Sequence, residues 1–154
     1  MKKRYYAIIV VAAIFCLALV WMKWSEYKKL NNYASTVIEN INNLNTEETR
    51  SIELSSLTPF TWEEAYIFKP YIDKSSIKEV IKCTPKGYQT SLSDSDSQIY
   101  FINQGKVVCS INGNYEKLNF YINYNFEDYY YKLNKSAVIK LETINNKKSI
   151  DITQ

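Results

Sequence analysis

The chain has 154 residues, 19 of them Lys or Arg, 16 Asp or Glu and none His, with a formal charge of +3 at neutral pH. The lack of histidine excludes Ser-His and Cys-His nucleophile pairs, imidazole zinc ligands and imidazole acid–base catalysis. Lys2, Lys3, Arg4 and Lys23 flank an apolar run; without them 15 basic residues face 16 acidic ones, and a balance of −1 leaves no electrostatic footprint for nucleic acid.

Tyr5 to Met22 carries no charge, Gly or Pro. About 20 apolar residues in a helix span a hydrocarbon core of roughly 30 Å. Tyr5 and Tyr6 at one end, with Trp21 and Trp24 at the other, fit the two interfacial belts. Lys23 can snorkel outward. Residues 1–24 are therefore expected to be an uncleaved transmembrane signal-anchor. A cleaved signal peptide would have a shorter apolar core and small residues at its cleavage site, whereas this run continues past Ala18 into Val20, Trp21 and Met22. Lipid attachment at Cys16 would need a small residue before it, and Phe15 stands there. Lys2, Lys3 and Arg4 outweigh Lys23, Lys28 and Lys29, which Glu26 dilutes. The charge bias places the N-terminus in the cytoplasm and the remaining chain outside a cell membrane crossed once.

Residues 25–48 read as a juxtamembrane amphipathic helix. Leu30, Ala34, Val37, Ile38, Ile41 and Leu44 recur at helical spacing, either against the chain's own domain or as a stalk. Asn42, Asn43 and Asn45 weaken the helix toward its end.

Residues 49–154 read as one α+β domain. Ile52 and Leu54 alternate as in a half-buried strand. In the stretch Phe60 to Tyr71, Tyr66 and Phe68 share one face of a strand and Ala65 and Ile67 the other. A strand apolar on both faces is expected to be covered on both, and Pro70 stops it. Glu63 and Glu64 point to opposite faces, so they make no acid–base pair across a substrate. Trp62 and Tyr71 stand at the strand's ends and are expected at the surface.

Ser76-Ile77-Lys78-Glu79 reads as a capping box. The helix it opens has Ile77, Val80 and Ile81 inward and ends at Thr84 to Gly87. Ser91 to Ser97 is a polar loop. Its Asp94 and Asp96 resemble a calcium loop, but Ile99 and Gly105 occupy the positions that need Gly and Glu. Ile99 to Ile102 and Val107 to Ile111 form a hairpin through Asn103 to Lys106. Leu118 to Phe126 alternates as another strand. Glu127 to Lys135 fits a strand end or a short helix, and residues 137–141 and 149–153 form a last hairpin around Asn145 and Asn146. The expected architecture is an N-terminal transmembrane helix, then a small antiparallel sheet packed with one or two helices.

Cys83 and Cys109 are the pair available for an extracytoplasmic disulfide. The plainer reading is two small buried hydrophobes. Three scattered glycines make no phosphate loop. No catalytic residue, metal or cofactor is expected. The candidate partner-binding residues are the aromatics Trp62, Tyr71, Tyr115, Tyr129, Tyr130 and Tyr131. The 14 tyrosines, with plentiful Ile, Lys and Asn, also match the codon bias of a low-GC bacterium.

The string LTPFTWEEAYIFKPY from Leu57 to Tyr71 precedes a helix near Ile77 and a hairpin from Ile99 to Ile111. It resembles small membrane-anchored or lipoprotein-like proteins of low-GC Gram-positive bacteria with an F-x-W-D-x-V-Y-x-F-x-P-Y pattern. Here Glu63 replaces the usual Asp and Ala65 the usual Val. The resemblance implies location and architecture; that family has no assigned activity. The function expected from location and composition is a non-catalytic protein-interaction module. It would be of an exclusion or immunity type, or part of an envelope complex. The alternative is a cell-wall glycan binder using Trp62, Tyr71 and Tyr129 to Tyr131.

Overall fold

A computed structural model describes the backbone of residues 2–44 and 50–152, and side chains from Val11 onward within those ranges. The elements in order are α1 (Lys2–Asn42), β1 (Arg50–Glu53), a 3-10 turn (Leu54–Leu57), β2 (Glu64–Phe68) and α2 (Lys74–Ile81). They continue with β3 (Ser97–Asn103), β4 (Lys106–Gly113), α3 (Tyr115–Leu118), β5 (Tyr121–Asn123), β6 (Tyr130–Asn134), β7 (Val138–Ile144) and β8 (Lys147–Ile152). The class is α+β, but the strands form two four-stranded sheets, β1-β7-β8-β5 and β4-β3-β2-β6, rather than one. All pairings are antiparallel except β5 with β8.

The two sheets share one core. Ala65, Ile67, Ile99, Phe101, Cys109 and Ile111 meet Ile122, Ile139, Leu141, Ile150 and Ile152. The other face of the β4-β3-β2-β6 sheet presents Tyr66, Phe68, Tyr100 and Ile102 to Ile77 and Ile81 of α2. β2 and β3 are thus covered on both faces, as their double-sided apolar pattern predicts. The hairpin turns also match. Gln104 and Gly105 (φ 49° and 66°) and Asn145 and Asn146 (φ 52° and 62°) supply the paired positive φ values that two-residue hairpins need.

α1 is one unbroken helix of 41 residues, so the expected anchor and amphipathic helix are a single rod. Leu30, Val37 and Ile41 fall on one helical face. Leu30 joins the cluster beneath α2, while Val37 and Ile41 enter the inter-sheet core. α1 packs on β4 and shields that sheet edge. Its asparagines tie it down: Asn40 Nδ2 donates to Leu57 O and Asn42 Nδ2 to Leu118 O, both at 2.9 Å. Lys148 Nζ donates to the carbonyls of Ile41, Asn42 and Leu44 at the end of the helix, where intrahelical partners run out.

Among the described residues, the first half of α1 gives no side chain to this core. Val11, Ile14, Phe15, Leu17, Leu19, Val20, Trp21 and Met22 are 45–69% exposed. Among the described residues no helix is long and apolar enough to cross a membrane. Tyr5 to Val10, which open the expected span, lie outside the described side chains.

Two local expectations need correction. The cap of α2 is Asp73, not Ser76. The Asp73 carboxylate accepts from the backbone N–H groups of Ser75 (2.8 Å) and Ser76 (3.1 Å) and from both serine hydroxyls. A carboxylate takes several donors at once, so Ser76 donates to the cap instead of forming it. Leu118 to Phe126 is not one strand. Asn114 caps the helical turn α3 by accepting from Lys117 N, and Asn119 closes it at φ 60°. Leu118, Phe120 and Ile122 all still reach the core.

The serine donors hold the Asp73 carboxyl far below its ordinary value of 3.8. A depressed folded-state value means its stabilisation is full above 3.8 and fades as pH falls below it. Asp73→Ala is therefore expected to lower the melting temperature at neutral pH. That deficit should shrink below about pH 4. Melting both proteins across that range checks it; a deficit constant with pH would refute the charged cap.

Candidate interaction surface

Of the six aromatic candidates, Trp62 is not at the surface. It is 1% exposed, its Nε1 donates to Thr58 Oγ1 at 2.8 Å, and its ring meets Phe101 edge-on at 5.3 Å. The 3-10 turn after β1 directs the chain so that Trp62 enters the inter-sheet core before β2 begins. It offers no stacking platform. Tyr71 is 59% exposed, in a turn with φ 65°. Tyr115 is half-buried on α3 under the Lys147 ammonium, 4.9 Å from the ring centre. Lys69, two residues before Tyr71, donates its backbone N–H to Tyr129 O at 3.0 Å.

Tyr129 to Tyr131 lead into and begin β6, which among the described residues is an outer strand paired with β2 alone. Strand alternation sends them different ways. The Tyr130 ring lies 6.2 Å from Tyr66 and 5.9 Å from Phe68, on the α2 side. Tyr131 turns toward Phe126, at 5.4 Å. Tyr129 stays exposed, edge-on to Tyr130 at 5.2 Å. Lys69 Nζ donates to Glu127 O at 2.9 Å and sits 5.1 Å above the Phe126 ring. A groove of about 680 Å³ runs here between Phe126, Tyr130, Tyr131, Glu127 and Asp128.

Polar groups frame the same edge. Glu64 pairs with Lys132 at 2.6 Å and accepts from Tyr66 Oη at 2.7 Å. The Lys132 hydrogen bond, more than any other group, holds the Glu64 carboxyl below its usual value. An outer strand with rings on both sides and a fixed ion pair suits an extended peptide segment, which it meets with main-chain hydrogen bonds and side-chain grooves. Glu63, next to Glu64 in the chain, serves the β3–β4 hairpin instead. Its carboxylate accepts from Gln104 N at 3.0 Å and braces the β3–β4 turn.

No family model, curated protein or solved structure matches this chain.

The cysteine pair is also corrected. Cys83 and Cys109 are both free thiols. Cys109 is in the inter-sheet core and Cys83 packs beside α2, so the β4-β3-β2-β6 sheet stands between them. Burial pushes the Cys109 thiol up to about 12. Among the described residues no three Cys, Asp or Glu side chains gather to hold a metal. Sequence reasoning missed Lys69 and Phe126 as part of the tyrosine edge. Their spacing from Tyr129 carries no periodic signal, because the 69–129 contact is made by folding.

Proposed function

We propose that this protein is a single-pass membrane protein whose α+β domain lies outside the cell and binds another protein without catalysing a reaction. The observation that carries the reading is α1. A single helix joins an exposed apolar segment, Val11 to Met22, to a half built into the domain core. Apolar surface of that extent is stabilised away from water by about 25 cal/mol per Å², and a contiguous exposed patch marks a membrane or protein contact. The uncharged run extends back to Tyr5 in the sequence. Residues 57–71 also resemble those of small anchored envelope proteins.

The working surface in this reading is the β6 edge, with Tyr129, Tyr130 and Phe126. Its partner is another membrane protein, of the same cell or of an incoming mobile element, as in exclusion or immunity. The test of location uses Leu92→Cys, a position 83% exposed on the domain. A membrane-impermeant maleimide should label the variant in intact cells, well above the parent chain, and alkaline carbonate should leave the protein in the membrane pellet. Labelling only after permeabilisation, or release by carbonate, would overturn the location. A photo-crosslinker at Tyr129 should then give one discrete protein adduct. Its absence, with the location confirmed, would overturn the working surface.

A further inference from the structure

β6 is an open ladder with a readable phase. Lys69 and Tyr129, joined by the bond from Lys69 N to Tyr129 O at 3.0 Å, continue the register in which Phe68 meets Tyr130 and Ile67 meets Tyr131. In an antiparallel pair every second residue turns its N–H and C=O to the neighbouring strand. Tyr129, Tyr131 and Leu133 therefore bond toward β2, while Tyr130, Lys132 and Asn134 turn their main-chain groups outward. Ala137 N donates to the Asn134 carbonyl at 3.1 Å. Tyr130 and Lys132 are left with donors and acceptors that face no strand among the described residues. An added strand completes such a pattern.

The charge beside this ladder has one sign. Glu127 and Asp128 line the groove with Phe126, Tyr130 and Tyr131, and no basic residue lines it. Both acids are exposed, and among the described residues neither carboxylate has a hydrogen-bond or ion-pair partner. The two nearby cations are engaged. Lys132 pairs with Glu64, and Lys69 holds the Glu127 carbonyl and the Phe126 ring. Lys69 also shows that a ring of this edge accepts a cation. Among the described residues no cation stands over the Tyr130 or Tyr131 ring.

Two unpaired carboxylates beside aromatic rings are the complement of a guanidinium. Its planar fork pairs with a carboxylate and its face stacks on a ring, which an ammonium does less well. We infer that the β6 edge receives an extended segment of the partner protein that places an arginine side chain in this groove. The segment pairs main chain to main chain with Tyr130 and Lys132, and its guanidinium meets Glu127 and Asp128 beside the tyrosine rings. This rests on the β6 edge being the working surface, and it names the chemistry that edge selects.

The test is an NMR titration of the isotope-labelled full chain, in a zwitterionic detergent, with the blocked peptide acetyl-Thr-Val-Arg-Val-Thr-amide. Amide shifts should concentrate at residues 126–132. Peptides with leucine or glutamate in place of the arginine should bind at least about fivefold more weakly, the scale of an exposed cation–π contact joined to ion pairs. Added salt should weaken the arginine peptide and leave the leucine peptide unchanged. The double variant Glu127→Gln with Asp128→Asn should bring the arginine peptide down to the leucine level. The exchange Glu127→Asp with Asp128→Glu keeps both charges and should keep most of the binding. Both side chains are exposed, so each variant should melt as the parent does. Equal binding of all three peptides at 126–132 would overturn the arginine and leave strand docking in place. No shift there with the arginine peptide would overturn the docking mode, while a discrete protein adduct at Tyr129 in cells would keep the surface. No adduct at Tyr129 would overturn the surface and this inference with it. An adduct of two copies of this chain would make the occupant the chain itself and overturn the inference as well.

Discussion

A chain shortened to begin at Ser25 will fold cooperatively, and one beginning at Asn45 will not. The residues between them supply Leu30, Val37 and Ile41, at 8%, 1% and 2% exposure. Burying each contributes about 1.5–3 kcal/mol. Their loss opens the inter-sheet core along the β4 edge that α1 covers. It also strands the Leu57 and Leu118 carbonyls that Asn40 and Asn42 satisfy. The Lys148 ammonium loses its three carbonyl partners as well. Against a total stability of about 5–15 kcal/mol for a domain, that sum removes the folded state. Circular dichroism melts of the two chains decide it. A native transition in the chain starting at Asn45 would show that α1 is an appendage. In the full chain, Ile41→Asp should reproduce the loss by placing a charge in the same core.

Trp62→Ala should lower stability by about 3–5 kcal/mol, the range for removing a large buried aromatic. The side chain is among the largest fully buried ones, and it packs edge-on against Phe101. With a urea slope of about 1–3 kcal/mol/M, the unfolding midpoint moves down by about 1 M or more. Trp62→Phe keeps most of the apolar contact and loses the hydrogen bond to Thr58, so it should cost less than Trp62→Ala. A midpoint unchanged by Trp62→Ala would return Trp62 to the surface and revive the glycan platform first read from the sequence. The same measurement thus separates a core residue from a binding residue.

Trp62 shows where sequence pattern stops. Tyr66 and Phe68 against Ala65 and Ile67 announce a strand covered on both faces, because side-chain direction alternates strictly along extended backbone. Trp62 precedes β2, outside that alternation, and its direction depends on the 3-10 turn at Leu54–Leu57 and on where Phe101 stands. Asp73 was missed for another reason. Asp73, Ser75 and Ser76 are all acceptable caps in sequence, and only the spatial convergence of both serines on one carboxylate decides among them. At Leu118 to Phe126 the period-two pattern correctly marked Leu118, Phe120 and Ile122 as core. It did not distinguish a strand from a helical turn followed by a short strand, since both deliver those three side chains inward.

The tyrosine edge was half legible. Tyr129 to Tyr131 were visible as an aromatic run, and Tyr129 is exposed as a contact residue should be. Lys69, which follows β2, reaches it only through the pairing of β2 with β6, and Phe126 turns to it from the loop before β6. Gln98 stands one residue before the run Ile99 to Ile102, and Asn112 one residue after Val107 to Ile111, so neither carried a signal of its own. That these two buried amides face each other is a matter of β3–β4 register.

By itself the sequence determined what depends on near neighbours. It set the helical periodicity of residues 30–44, the two-faced burial of β2, the turns at Gln104–Gly105 and Asn145–Asn146, and the exclusion of histidine chemistry. Those follow from covalent geometry and the repeat of side-chain direction within a few residues. The tertiary structure alone decided that the strands divide into two sheets and that α1 seals the β4 edge. It also placed Cys83 and Cys109 on opposite faces of one sheet, and the buried Gln98 and Asn112 opposite each other. Those outcomes depend on pairings between distant segments, such as β1 with β7 and β2 with β6, and on the shared core that selects one pairing over the others.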